Sequence, residues 1–191
     1  MQLLRETIRL KRSKLWKNIS WILHHDAPVH ISKLTVNGKV KIDRIEQCDD
    51  HTNYKIKFSS HLKEEGGVQL VGGILKTDME VGDNVENDVD VYSLENGEYK
   101  FLVNVKETWC NVLHNYLGDF GYDMQKSAGI SPGTCPLPPG EYSIKDHPLD
   151  FSKFKYRDVP KGTLKIKSSM IDLKTKEKVG CTEIEFTISA E

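Results

Sequence analysis

Residues 135–142 read Cys-Pro-Leu-Pro-Pro-Gly-Glu-Tyr. Pro136, Pro138 and Pro139 remove three backbone donors and fix three φ angles, so no helix runs through this rigid, extended bend. Gly140 then releases the chain into Glu141-Tyr142-Ser143-Ile144, which alternates as a strand does. Far downstream, Val179-Gly180-Cys181 sets another cysteine inside a late strand. A cysteine at a rigid corner and a cysteine within a strand mark covalent anchor points, and the rest of the chain reads as a β-sandwich pinned there.

Working outward, the pattern has period two. Tyr54, Ile56 and Phe58 share one face with Lys55 and Lys57 on the other, and Val85, Asn87, Val89 and Val91 alternate with Glu86, Asp88 and Asp90. Gly66-Gly67 and Asn96-Gly97 are hairpin turns, and Ile31–Ile42 alternates around Asn37-Gly38 in the same manner. The pair Gly72-Gly73 inside a strand predicts a bulge or a close backbone approach. Phe101, Val103 and Val105 form one face of the next strand. Leu164, Ile166, Ser168 and Met170, then Thr182, Ile184, Phe186 and Ile188, mark the last two. Trp109, Val112, Leu113, Tyr116, Leu117 and Phe120 recur instead at threes and fours. They predict a helix over 108–117, capped by Thr108 and ended by Gly118 and Gly121, followed by an irregular segment over 123–134. The expected fold is an all-β antiparallel sandwich of about eight strands with one short inserted helix. Residues 1–40 form a basic amphipathic extension and residues 41–191 the sandwich.

Composition narrows the function. The chain has 191 residues, a net charge of -1 and an isoelectric point near 6.7, so no overall field gathers nucleic acid. A mean hydropathy of -0.49 speaks against a membrane span. Leu4, Ile8, Leu15, Ile19 and Ile22 lie on one face of a basic helix, a pattern that suits either an anionic membrane surface or packing on the domain. Charges interrupt it throughout, so residues 1–23 do not read as a secretory signal. Asn18 is the one glycosylation sequon, used only in a secreted protein. His24, His25 and His30 lack a convincing fourth ligand, and no two cysteines form a Cys-x-x-Cys pair, so no metal site is expected. Catalytic fingerprints such as Gly-x-Ser-x-Gly, the P-loop or His-Glu-x-x-His do not occur. His114, Asp119 and Asp123 read as solvated groups at a helix end. The four cysteines, at 48, 110, 135 and 181, allow three pairings; their even count and wide spacing favour two disulfides and an oxidising compartment. Four buried free thiols fit the same count.

Trp109-Cys110, Thr134-Cys135-Pro136, Gly140-Glu141-Tyr142-Ser143-Ile144 and Val179-Gly180-Cys181-Thr182-Glu183-Ile184 resemble the ML lipid-recognition domain superfamily. The likeness is to its ganglioside activator branch and to its small secreted arthropod members. It is good over 100–191, weak over 45–99 and absent over 1–40. Two disulfides of the ganglioside activator have no counterpart, and its aromatic loop is replaced by 154–160, so ganglioside specificity does not carry over. The resemblance implies the pairs Cys48–Cys181 and Cys110–Cys135, and a cup-like, immunoglobulin-like sandwich with an internal apolar cavity. It further implies an extracellular or lysosomal location and a non-enzymatic protein without a cofactor, which holds acyl chains and carries or presents lipid in the manner of a sphingolipid activator. The implied partners are a lipid or other small hydrophobic ligand, a transient membrane-surface contact, and a hydrolase or receptor. The rival reading is a secreted chemosensory-type binding module.

On that reading the cavity candidates are the inward apolar residues Ile56, Phe58, Val89, Val91, Phe101, Val103, Ile166, Met170, Ile184 and Phe186. Each equally suits plain packed core. Leu149, Phe151, Phe154 and Tyr156 are rim candidates, placed either to touch a membrane or to cover the sandwich edge.

Overall fold

The computed structural model describes residues 39–49, 53–154 and 160–189. The basic helix, Asn18, the three N-terminal histidines, the Asn37-Gly38 hairpin and Tyr156 lie outside the described residues.

Eight strands run in chain order: β1 (Lys39–Gln47), β2 (Ile56–Glu65), β3 (Val68–Thr77), β4 (Val85–Glu95), β5 (Glu98–Thr108), β6 (Gly140–Pro148), β7 (Gly162–Asp172) and β8 (Lys178–Ser189). They form a five-stranded sheet, β1-β8-β7-β4-β5, and a three-stranded sheet, β2-β3-β6. Each described pairing is antiparallel, and together the layers make the expected sandwich. Asn96 and Gly97 have φ of 54° and 83°, the left-handed pair that closes a tight hairpin without splaying its strands. The Gly72-Gly73 expectation is met by a register shift between Val71 and Gly73 against β6. The β1 strand pairs with β8, from Lys39 opposite Ser189 to Gln47 opposite Thr182, so the two sequence extremes of the sandwich lie side by side.

Period two explains the faces. On the outer face of the larger sheet, Arg44 bonds Glu185 and Glu46, Lys106 bonds Asp88 at 2.8 Å, and Lys167 bonds Glu183. Hydrogen bonds from Lys106 and Asn104 hold the Asp88 carboxyl below its usual range. These are exposed or half-exposed pairs, each contributing little to stability. The inward faces meet in a solid cluster at one end, where Ile56, Val81, Val85, Leu137, Met170 and Val179 are all buried.

The helical segment departs from expectation. It starts at Trp109 as α1 (Trp109–Asn111), continues as a wider π-type run (Val112–Leu117), breaks at Gly118 and resumes as α2 (Asp119–Ser127). The second helix takes residues 123–127 from the segment expected to be irregular, and 128–134 are irregular as expected. Its nine residues are too few and too polar to show a helical period. Gln125 instead fastens it to the following loop, donating to the Thr134 carbonyl and accepting from Gly133 N–H. Gly121 does not end a helix: it lies inside α2, where a Cβ would meet Leu117 and Leu113 at 2.9 Å, so its bareness permits the contact. Thr108 stands at the N-cap position, but its hydroxyl donates to Asp83 rather than capping.

Disulfides join Cys48 to Cys181, 133 residues apart, and Cys110 to Cys135, 25 apart, the pairing that the resemblance implies. Loop entropy gives about 5 kcal/mol for the longer link and about 3.5 kcal/mol for the shorter. Replacing both cysteines of the longer link by alanine should therefore lower unfolding free energy by more than the same change at the shorter, as read by urea titration. Asp172 closes the β7–β8 turn, its Oδ1 accepting from Lys174 N at 2.8 Å and Thr175 N at 3.0 Å, and these bonds lower its pKa. A lowered carboxylate stabilises fully above the unfolded value near about 3.9 and loses that contribution as pH falls through the folded value. Thermal melts of Asp172→Asn should thus fall below wild type at neutral pH, with the gap narrowing in strong acid.

Candidate functional site

The candidate site is the space between the sheets. Register places the inward side chains of the larger sheet in rows. Val103, Val91, Ile166, Ile184 and Ile45 form one row, and Val105, Val89, Ser168, Thr182 and Gln47 form the next. Phe58, Leu75 and Tyr142 make a corresponding row on the smaller sheet. Beyond these rows at one end lies the solid cluster around Val85, which is fully buried. At the other end Ile42, Leu164 and Ile188 are buried again. Between the two ends, Phe58, Val89, Val91, Val103, Ile166 and Ile184 are each only half-buried although they point inward, and so is Phe186, which stands between Ile42 and Leu164 at the second end. A close-packed interior would bury them as it buries their neighbours. The band is thus an apolar lining exposed between two closed ends.

One seam holds the layers together beside this band. Gln69 reaches from β3 to the β1 backbone, accepting from Ile42 N–H at 2.9 Å and donating to Ile42 C=O at 2.6 Å. Ser60 donates to the Ile45 carbonyl, and Gln47 Oε1 accepts from Phe58 N–H. These bonds occupy backbone groups of β1 and β2 that lie at the edges of their sheets.

The candidate lining residues divide. Ile56 and Met170 belong to the solid cluster, not to the exposed band. Phe101 is a correction: a register shift after Val91 leaves Leu102 as an extra residue, so Phe101 pairs with Tyr92 on the outer face and is 57% exposed. Simple alternation counts through such a bulge and assigns the wrong face. The Phe101 and Tyr92 rings meet edge-on at 5.9 Å.

The rim segment is clasped rather than splayed. Phe120 of α2 stacks on Phe151 and meets Phe154 edge-on, both at 5.6 Å between centroids. Lys153 bonds Asp123, lies 3.7 Å from Asp150, and so ties the same segment to α2. Leu149 N–H donates to the Gln69 carbonyl. In sequence Phe120 reads as one more residue of a helix face; only the fold brings it to Phe151. His114 Nδ1 lies 2.9 Å from the Tyr122 hydroxyl, so His114 and Asp123 each have a structural partner.

Elsewhere, a depression of about 410 Å³ lies over the smaller sheet, lined among others by Ser59, His61, Ile74, Ser143, Lys145 and Asp146. Among the described residues no three His, Cys, Asp or Glu side chains form a metal-holding group, and no helix is long and apolar enough to cross a membrane.

A family model described as "Protein of unknown function (DUF1091)" matches residues 85–166, from the first residue of β4 into β7. No curated protein matches the chain. Among solved structures it is similar to chicken MD-1 complexed with lipid IVa, with 15% identity, 81% of this chain and 91% of that chain covered, and a TM-score of 0.35. It is also similar to a Niemann-Pick type C2 protein from Japanese carpenter ant, at 15% identity, 79% and 92% coverage, and a TM-score of 0.26. At scores this low the sandwich rests on its own strand pairing and disulfides.

If the rim is held by its aromatic clasp, Phe120→Ala should speed amide exchange over residues 149–154 by about ten-fold, since such ring pairs contribute about 0.5–1.5 kcal/mol beyond area. Hydrogen-exchange mass spectrometry reads this directly; unchanged exchange there would show that the rings do not hold the segment.

Proposed function

We propose that this protein is a non-catalytic lipid carrier that takes the apolar part of its ligand between the two sheets. The observation that carries the reading is the band of inward-facing but half-buried apolar side chains from Val89 to Ile184. Acyl chains exposed to water cost about 0.8 kcal/mol per CH₂, and an apolar lining removes that cost as a bilayer does. Transfer between bilayer and protein is then nearly balanced in its apolar part, and contacts at the entrance set the direction. Nothing in such a cycle needs a catalytic group.

The finer reading is a carrier of the sphingolipid-activator kind, acting in an extracellular or lysosomal compartment through transient contact with a membrane surface. Its support is the two disulfides, which persist in oxidising compartments, together with the Cys-Pro and Gly-Cys motifs. A protein partner, whether hydrolase or receptor, would act on the lipid so presented. The chemosensory-type alternative uses the same lining for a smaller hydrophobic ligand; it predicts saturable ligand binding without vesicle transfer.

Fluorescent-lipid transfer between vesicles tests the carrier. Ile184→Lys puts an unpaired charge into the lining and should lower transfer at least about ten-fold, because burying such a charge costs several kcal/mol. Phe101→Ser changes only the outer face and should leave the rate unchanged. Equal rates for wild type and Ile184→Lys, or loss of transfer in Phe101→Ser alone, would refute this placement of the ligand.

A further inference from the structure

We propose that the lining carries one polar docking point, the Asn87 side-chain amide, which donates a hydrogen bond to an uncharged oxygen on the ligand's leading end. This inference rests on the carrier reading and narrows its ligand class. Asn87 stands on β4 between Val85 and Val89, on the inward face. It is 2% exposed, and its Nδ2 is the one buried side-chain nitrogen or oxygen without a hydrogen-bond partner among the described residues. The other end of the amide is occupied, since Oδ1 accepts from Ser168 Oγ at 3.3 Å.

A buried donor without an acceptor is costly, whereas an apolar residue of similar size could fill the same place without that penalty. The position matters as much as the chemistry. Asn87 borders the solid cluster on one side and the half-buried band on the other, at the inner end of the lining. Ser168 and Thr182 extend a polar strip from it across β7 and β8 in the adjacent row. The acceptor on the neighbouring strand is already engaged. Glu107, across from Asn87 on β5, accepts from Asn111 Nδ2 at 3.2 Å and from Tyr116 Oη at 3.4 Å.

The chemistry of the strip selects the ligand group. Asn87, Ser168 and Thr182 are neutral, and the charge beside them is the Glu107 carboxylate. A ligand carboxylate or phosphate here would be desolvated without a counter-charge. A carbonyl or hydroxyl oxygen satisfies Nδ2 without that penalty. Beside Asn87 on β7 stands its cross-strand partner Met170, whose unbranched thioether changes rotamer easily and can give way to an entering group. The favoured ligand therefore enters with an oxygenated end leading, and is not a hydrocarbon tail with all its polarity outside.

The test compares hexadecane with its methyl ketone as competitors of a fluorescent apolar dye, using the disulfide-intact full chain. Wild type should bind the ketone about ten-fold more tightly than the alkane, and Asn87→Leu should lose that preference while still binding the alkane. Should Asn87→Leu fail to fold, side-chain amide NMR of wild type decides: the Asn87 NH₂ resonances should move with the ketone and stay in place with the alkane. Equal affinities in wild type, an undiminished preference in Asn87→Leu, or resonances indifferent to the ketone would overturn the inference and leave the carrier reading standing. Binding of neither probe would overturn both.

Discussion

The structure depends on a seam. Two apolar sheet faces in water would normally close until their side chains interdigitate. Here the distance between layers is set along the β1–β2 edge, where Gln69, Ser60 and Gln47 bond backbone groups across the gap. The Cys48–Cys181 link ties the end of β1 to β8 beside it. Closed ends packed with Val85, Val179 and Ile56 on one side and Leu164 and Ile188 on the other supply the conventional core. The middle of the larger sheet's inner face is left apolar and only half-buried.

A protein of this design gives up part of its hydrophobic stabilisation by leaving that middle half-buried. A single domain has a net stability of only about 5–15 kcal/mol, and each fully buried aliphatic side chain contributes about 1.5–3 kcal/mol. Leaving seven lining side chains half-buried is therefore a large concession. Covalent links compensate by restricting the unfolded chain rather than by filling the interior. That division of labour connects the cysteine frame to the proposed function: the disulfides take over stability that packing would otherwise supply.

The clasp of Phe120 on Phe151 and Phe154 adds a weakly held element to this frame. It joins α2 to the segment after β6 by ring contacts and an exposed ion pair, both weak in free-energy terms. A boundary held this way can part at little cost. The same segment reads in sequence as a run of scattered aromatics among lysines, because its partner Phe120 lies about thirty residues earlier and inside a different element.

Local chemistry alone determined a good deal. Alternation marked the strands from β2 onward, Asn96-Gly97 marked a hairpin because a left-handed pair suits that dipeptide, and the Pro-rich corner excluded helix over 135–139. These are short-range effects, legible within a few residues. Whatever depends on counting across an irregularity or on distant partners was settled only by the tertiary structure. The bulge at Leu102 turned Phe101 outward, a nine-residue polar helix formed that Gln125 fastens to the loop after it, and Ile56 and Met170 fell into the packed end rather than the half-buried band. Asn87 is the clearest case. In sequence it is one polar residue in a valine alternation, and only the assembled sheets leave its Nδ2 buried beside the lining without a hydrogen-bond partner among the described residues. Burial and hydrogen-bond satisfaction are properties of what surrounds a side chain, and those surroundings come from strands far apart in the chain.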